Sequence, residues 1–397
     1  MPSVGVTLLT IVILVSGILY QVYLSPLLVL FGWGRAIKPL NAEKCTDVEG
    51  LQACEKLVVH PSGLVYLACA STLESRIDWM PAAFKLNASA LRGRTSTDYV
   101  ATYDPRTQTV TRLDAFGLDD PRGLNLHGFD VVADEVDSNT LWIYLINHRP
   151  PIDPSVDAHH TGADPAIEIF KTRLGSSTME WVRTLEDSDV IISPNDVVGG
   201  RNGKEVWFTN DRRARTGVVR ALTDLLFRVK STTVGYCHAD TGCKIAADEL
   251  YASNGLARTE DGNFWVASTY GAYITIHERQ ADNSLVPTEV VKVGLPIDNL
   301  AASSDGSVIA ATFPKLFDLV NAGRNVNPSV TAHSSAYRIS LNTGSGSYYG
   351  EKYKVEKIYE DNEGFGSSAT SAAIYGDTLY LHGYFAYWLR VCKLPGS

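Results

Sequence analysis

One layout of residues recurs six times along the chain, and no other feature limits its fold as strongly. The copies are "EKLVVHPSGLVYLACAS" from Glu55, "HGFDVVADEVDSNTLWIYLINH" from His127, "NDVVGGRNGKEVWFTND" from Asn195, "NGLARTEDGNFWVAST" from Asn254, "DNLAASSDGSVIAATF" from Asp298 and "TSAAIYGDTLYLHGY" from Thr370. Each has a small or polar opener, a short apolar strand, a turn of Gly, Asp or Asn, and a second apolar strand. The turns, near residues 62, 137, 202, 261, 305 and 376, lie about 44 to 75 residues apart, room for four strands and their loops. Further hairpin patterns lie between them, among them "YVATYDPRTQTVTRL", "IEIFKTRLGSSTMEWVRTL" and "AYRISLNTGSGSYYGEKYKVEKIY". Short strands in units of forty or more residues are propeller spacing. The expected fold is all-β, a six-bladed β-propeller with an N-terminal hydrophobic helix, and "TGVVRALTDLLFR" is the main helix expected within the propeller.

Propeller symmetry brings the openers of the innermost strands to one central channel, however far apart they stand in sequence. The convergent set is Glu55, His127, Asn195, Asn254 and the pair Asp298 and Asn299. Two carboxylates and three carboxamides are hard oxygen donors, enough for calcium, which takes about six to eight oxygens. A single Asn-Gly is more often a turn than a ligand. Five oxygen-bearing residues in register across four copies point to a ligand set instead.

The remaining sequence sets the compartment and removes one class of partner. Residues 1–34 carry no charged side chain and exceed the roughly 20 apolar residues that span a bilayer. They lack the basic start of a cleaved signal peptide, so this segment is expected to be an uncleaved transmembrane or signal anchor, followed by a hydrolase domain over 35–397; a secreted protein is the alternative. Arg35, Lys38 and Lys44 follow the span and would be held in the cytosol by charge alone. Six cysteines, at 45, 54, 69, 237, 243 and 392, favour instead an oxidising lumenal or extracellular side. Asn87, in "NAS", is a candidate glycosylation site. With 35 basic against 44 acidic residues the net charge is -9, which excludes a basic footprint for nucleic acid.

The motifs resemble, in order and spacing from Cys45 to Cys392, those of the serum paraoxonase and arylesterase family of calcium-dependent lactonases and esterases. "CEKLVVHPSGLVYLA" is similar to the family's first-blade segment, "LHGFDV" to its His-Gly motif and "YLINHRP" to the segment of its second histidine. "PNDVV", "YASNGL" and "IDNLAAS" complete the match. The resemblance implies Glu55, Asn195, Asn254, Asp298 and Asn299 as ligands of a catalytic calcium, His127 and His148 in the active site, and a bridge from Cys45 to Cys392. It also shows two departures. Lys56 stands where the family usually has a second acidic residue for a structural calcium, while the other acidic group is kept as Asp196. Phe313 stands where vertebrate members have a further histidine. An ion pair of Lys56 with Asp196 and a single bound calcium are therefore expected.

A calcium ion at such a centre would stabilise the oxyanion formed when a lactone or aryl ester is attacked. His127 is the expected base, His148 its orienting or relay partner, and Asp298 an alternative nucleophile. Loop aromatics suggest a small apolar substrate. Two other readings compete: a gluconolactonase-like or strictosidine-synthase-like propeller enzyme, and a non-catalytic, membrane-tethered calcium-binding propeller. No G-x-S-x-G elbow is present, which disfavours a serine esterase.

Overall fold

The sixfold layout becomes six antiparallel sheets in the computed structural model, which describes residues 4–94, 96–327, 329–330, 332–344, 347, 350, 352–361 and 368–395. Residues 1–3 of the apolar segment, part of the turn in the "AYRISLNTGSGSYYGEKYKVEKIY" hairpin, and Pro328 lie outside that set. In each blade the opener strand is innermost; in the first five the next three strands follow outward, and in blade 6 the next two. Blade 1 runs Cys54–Val59, Val65–Cys69, Tyr99–Asp104 and Thr109–Arg112. Blades 3, 4 and 5 begin at Pro194–Gly199, Ser253–Arg258 and Ile297–Ala302 and repeat the order. Blade 2 begins at Leu126–Ala133 and gains a fifth, parallel edge strand, Asp114–Phe116.

Second strands such as Val65–Cys69, Phe264–Ser268 and Val308–Thr312 are buried at every residue. That is why they read as unbroken apolar runs rather than alternating ones. The core lies between blades: Phe129 and Phe170 pack with Tyr66 across blades 1 and 2, and Tyr144 with Phe208 across blades 2 and 3.

The ring is closed by the N-terminal strand. Cys45–Val48 pairs with Leu389–Lys393 as the outer strand of blade 6, in the register Cys45 to Cys392, and a disulfide joins those two residues. Arg390 binds Asp47 on the same edge at 2.8 and 2.9 Å. Cys54 pairs with Cys69 and Cys237 with Cys243, both directly across neighbouring strands. Three disulfides and no free cysteine suit an extracellular or lumenal location.

Before the ring, Val4–Leu30 forms one apolar helix long enough to cross a membrane, with none of its residues buried in the protein. Its end docks on the propeller: Phe31 packs on Tyr270 and Phe317, and Arg35 donates to the Pro314 carbonyl at 2.7 Å. The expected internal helix is Val218–Phe227. A second wall helix is Leu316–Ala322, and blade 1 carries an insertion between its second and third strands that begins with the helix Leu73–Asp78. Asn87, in that insertion, is exposed and binds Asp78 and Ser89 through its side chain.

Candidate active site

In five blades the inner ladder breaks at the opener. Glu55 has no opposite number on the paired strand, and His127 with Gly128, Asn195 with Asp196, Asn254 with Gly255, and Asp298 with Asn299 each lie where the register shifts. A bulge of this kind bends the strand and re-aims its side chains. It turns an otherwise sheet-facing residue toward the channel. Blade 6 has no shift at its Ser371 to His382 pairing, and the hydroxyl of its opener Thr370 donates to the Glu55 carbonyl at 2.6 Å.

The Asn-Gly and His-Gly pairs are therefore not turns. A Cβ on Gly255 would sit 2.3 Å from the Asp298 carbonyl oxygen, and one on Gly128 would sit 2.3 Å from that of Asn195. Glycine is needed because neighbouring inner strands approach backbone to backbone.

Glu55, His127, Asn195, Asp298 and Asn299 are buried, and Asn254 is half-buried with its Oδ1 enclosed. Asn299 Nδ2 donates to Glu55 Oε1 at 2.5 Å, and His127 Nε2 stands 3.8 Å from the same oxygen. His127 Nδ1 lies 3.2 Å from His148 Nε2, so the two imidazoles form one hydrogen-bonded pair. Burial, then the neighbouring His148, Arg76 and Arg212, holds His127 well below the usual histidine range. Burial and the same two arginines lower His148 to about 3. Both rings are therefore neutral near pH 7.

The fit to a cation can be tested on the oxygens. Glu55 Oε2, Asn195 Oδ1, Asn254 Oδ1 and Asn299 Oδ1 are all buried without a hydrogen-bond partner. An unpaired buried polar group costs about 1–3 kcal/mol, so four acceptors from four blades describe a site short of a positive charge. Burial, followed by the charge of Asp196, pushes Glu55 up to about 8. Burial and the Glu55 charge raise Asp298 well above the usual carboxylate range. Among the described residues no cluster of three or more His, Cys, Asp or Glu side chains could hold a metal; this set has two carboxylates and depends on three carboxamides. The chemistry of the donors is that of a hard, oxygen-binding divalent ion.

Beneath the site, Lys56 donates to Asp196 Oδ1, and both side chains are buried. Asp196 also accepts from the Leu256 and Val197 amides, at 2.7 and 2.8 Å. Phe313 lies in the wall above, buried among Leu316 and Leu319.

Above the openers stands a cavity of about 670 Å³, lined near its floor by His127, Asn195, Asn254 and Asp298. Its walls come from residues at or just after the ends of second strands, Arg212, Tyr270, Phe313 and Tyr384, and from the apolar sides of the two wall helices. Arg212 and the tyrosines escape an opener-based reading. The position just after each second strand is the signal that finds them.

The profile of the family described as Arylesterase matches residues 99–394. No curated protein sequence matches the chain. Among solved structures, a gluconolactonase from Xanthomonas campestris is similar at 13% identity and a TM-score of 0.48, over 91% of this chain and 98% of that one. A luciferin-regenerating enzyme gives 11% and 0.48 over 91% and 98%. Virginiamycin B lyase from Staphylococcus aureus gives 10% and 0.44 over 89% and 99%.

Proposed function

The chain belongs to the arylesterase family, that of the serum paraoxonases, and from that premise we propose that it is a calcium-dependent hydrolase of lactones or aryl esters. The observation that carries the reading is the set of four orphaned oxygens beside the imidazole pair. Calcium held by Glu55, Asn195, Asn254, Asp298 and Asn299 would supply a Lewis acid for the substrate carbonyl.

The chain's own residues supply the base. With the His127 Nδ1 proton donated to His148 Nε2 across 3.2 Å, the His127 Nε2 lone pair faces the Glu55 side of the floor. That nitrogen takes a proton from the attacking water while Nδ1 passes its own to His148. His148 Nδ1, on the far side of the ring, faces the Pro194 carbonyl, where the relay ends. Asp298 serves as a ligand in this scheme rather than as the nucleophile. The apolar wall of Phe31, Leu222, Phe317 and Val320 selects a small, weakly polar ester or lactone.

The apolar helix anchors the enzyme in the membrane with the propeller on the lumenal or extracellular side, where its disulfides persist, and Asn87 there is open to glycosylation. The cavity mouth then lies beside the bilayer, because Tyr23 of the apolar helix meets Phe227 of the wall helix edge to face. A screen over lactones and aryl esters, in calcium and then in excess EGTA, tests the reading. Turnover in calcium that EGTA abolishes is expected. Full activity in EGTA would sink it, and tight calcium binding without turnover of any substrate would favour the binding propeller.

A further inference from the structure

Blade 1 inserts residues 71–98 between its second and third strands, and this segment grips the backbone beside both histidines of the pair. Arg76, on its first helix, donates through Nη1 to the carbonyl of Leu126 at 2.5 Å, the residue before His127. Asp98, at the far end of the segment, accepts the Leu126 amide at 2.9 Å and lies 3.6 Å from the same guanidinium. Both peptide groups of Leu126 are thus held by one buried ion pair. Arg76 reaches also to the Ala53 carbonyl at 3.4 Å, two residues before Glu55. Three residues along, the Trp79 indole N–H donates to the carbonyl of His148 itself at 2.7 Å. Arg76 and Trp79 are each 3% exposed, so water does not compete for these bonds. Arg212 closes the far side by donating to the carbonyls of Pro81 and Ala82 at 3.1 and 3.0 Å.

We infer that the 71–98 segment is a brace for the imidazole pair, with Arg76 and Trp79 as positioning residues that set His127 against His148 and Glu55. The inference rests on the reading of His127 and His148 as the proton-handling pair. The brace reinforces a ladder interrupted by the bulge at His127 and Gly128, beyond which the two strands keep the Asn147 to Leu126 pairing and the bond from the His148 amide to the Asn125 carbonyl at 2.8 Å. Holding reacting groups within a fraction of an ångström matters because a misplacement of about 1 Å can cost on the order of a hundredfold in rate.

The test uses the full chain with calcium present. Trp79→Phe keeps the ring and removes the donor; Arg76→Lys keeps the charge and removes the fork. Each is expected to lower kcat by about tenfold to a hundredfold with KM within about twofold. The double variant should fall little below the worse single, because both act on one pair. The proton shared by the imidazoles should also move or vanish in the NMR spectrum of each single variant, a readout independent of turnover. Wild-type kcat and an unshifted imidazole proton in folded Trp79→Phe and Arg76→Lys would overturn the brace. His127→Gln keeps the two ideas apart: if it retains hydrolysis, the base assignment fails while the NMR shift still decides the brace.

Discussion

Replacing Lys56 with Met removes the cation from a carboxylate that has nowhere else to turn. Asp196 is wholly buried and accepts from Lys56 and from two backbone amides. After the substitution the two amides remain and the charge does not. Breaking a buried pair from one side costs about 3–5 kcal/mol, far above the value of a surface pair, because the surviving ion is left uncompensated. Lys56→Met should therefore lose about that much in urea unfolding followed by tryptophan fluorescence, in EGTA so that no bound ion contributes. Adding Asp196→Asn should restore a good part of the loss, since the orphaned charge goes with it. A Lys56→Met loss below about 1 kcal/mol, the range of an exposed pair, would refute the reasoning. So would a double variant whose loss equals the sum of the singles, because coupled neighbours are not additive.

The bond from Cys45 to Cys392 spans 347 residues of sequence, and on the chain-entropy model a loop that long is worth up to about 6 kcal/mol. Cys45→Ser with Cys392→Ser should unfold at a much lower urea midpoint, and an unchanged midpoint would show that blade 6 is closed by strand pairing and the Asp47 to Arg390 pair alone. Asp361, 3.7 Å from Nδ1, holds His333 above its ordinary value against burial, with Asp318 3.9 Å from Nε2 on its other side. A folded value raised above the unfolded one gives stability that is full below about pH 6.5 and lost as pH rises through the folded value. The urea midpoint should therefore fall more steeply over that interval in the wild type than in His333→Gln, where the fall from the raised Glu55 remains; equal slopes would contradict it.

The inner hairpins were legible because their burial is two-sided and local: "VYLAC" and "FWVAS" carry no charge and sit between turn residues. The floor of the site was legible for a related reason. Ring symmetry converts equal positions in the repeats into one location, so Glu55, His127, Asn195, Asn254, Asp298 and Asn299 could be grouped without any contact between them being known. Bulges leave no such trace, and the Asn-Gly at 254 and 255 resembles a turn until the backbone of Asp298 is seen against it. Segments without a period were opaque. Residues 71–98 gave no hint that Trp79 would reach His148, because that bond depends on a bent path through short helical and extended pieces. The cysteines divided along the same line. Cys237 and Cys243 stand six residues apart about one short loop, whereas Cys54 and Cys69 are brought together only by the cross-strand register of blade 1.

Calcium stoichiometry on folded protein, measured by equilibrium dialysis with elemental analysis, bears most directly on the oxygen-lined centre. One tightly bound ion per wild-type chain is expected, with none retained by Asp298→Asn or Asn254→Ala, and a second gained in Lys56→Asp, where Asp196 would regain an acidic neighbour in place of the ammonium. A folded wild-type chain that binds no calcium, or that binds two ions with Lys56 in place, would contradict the assignment of these residues.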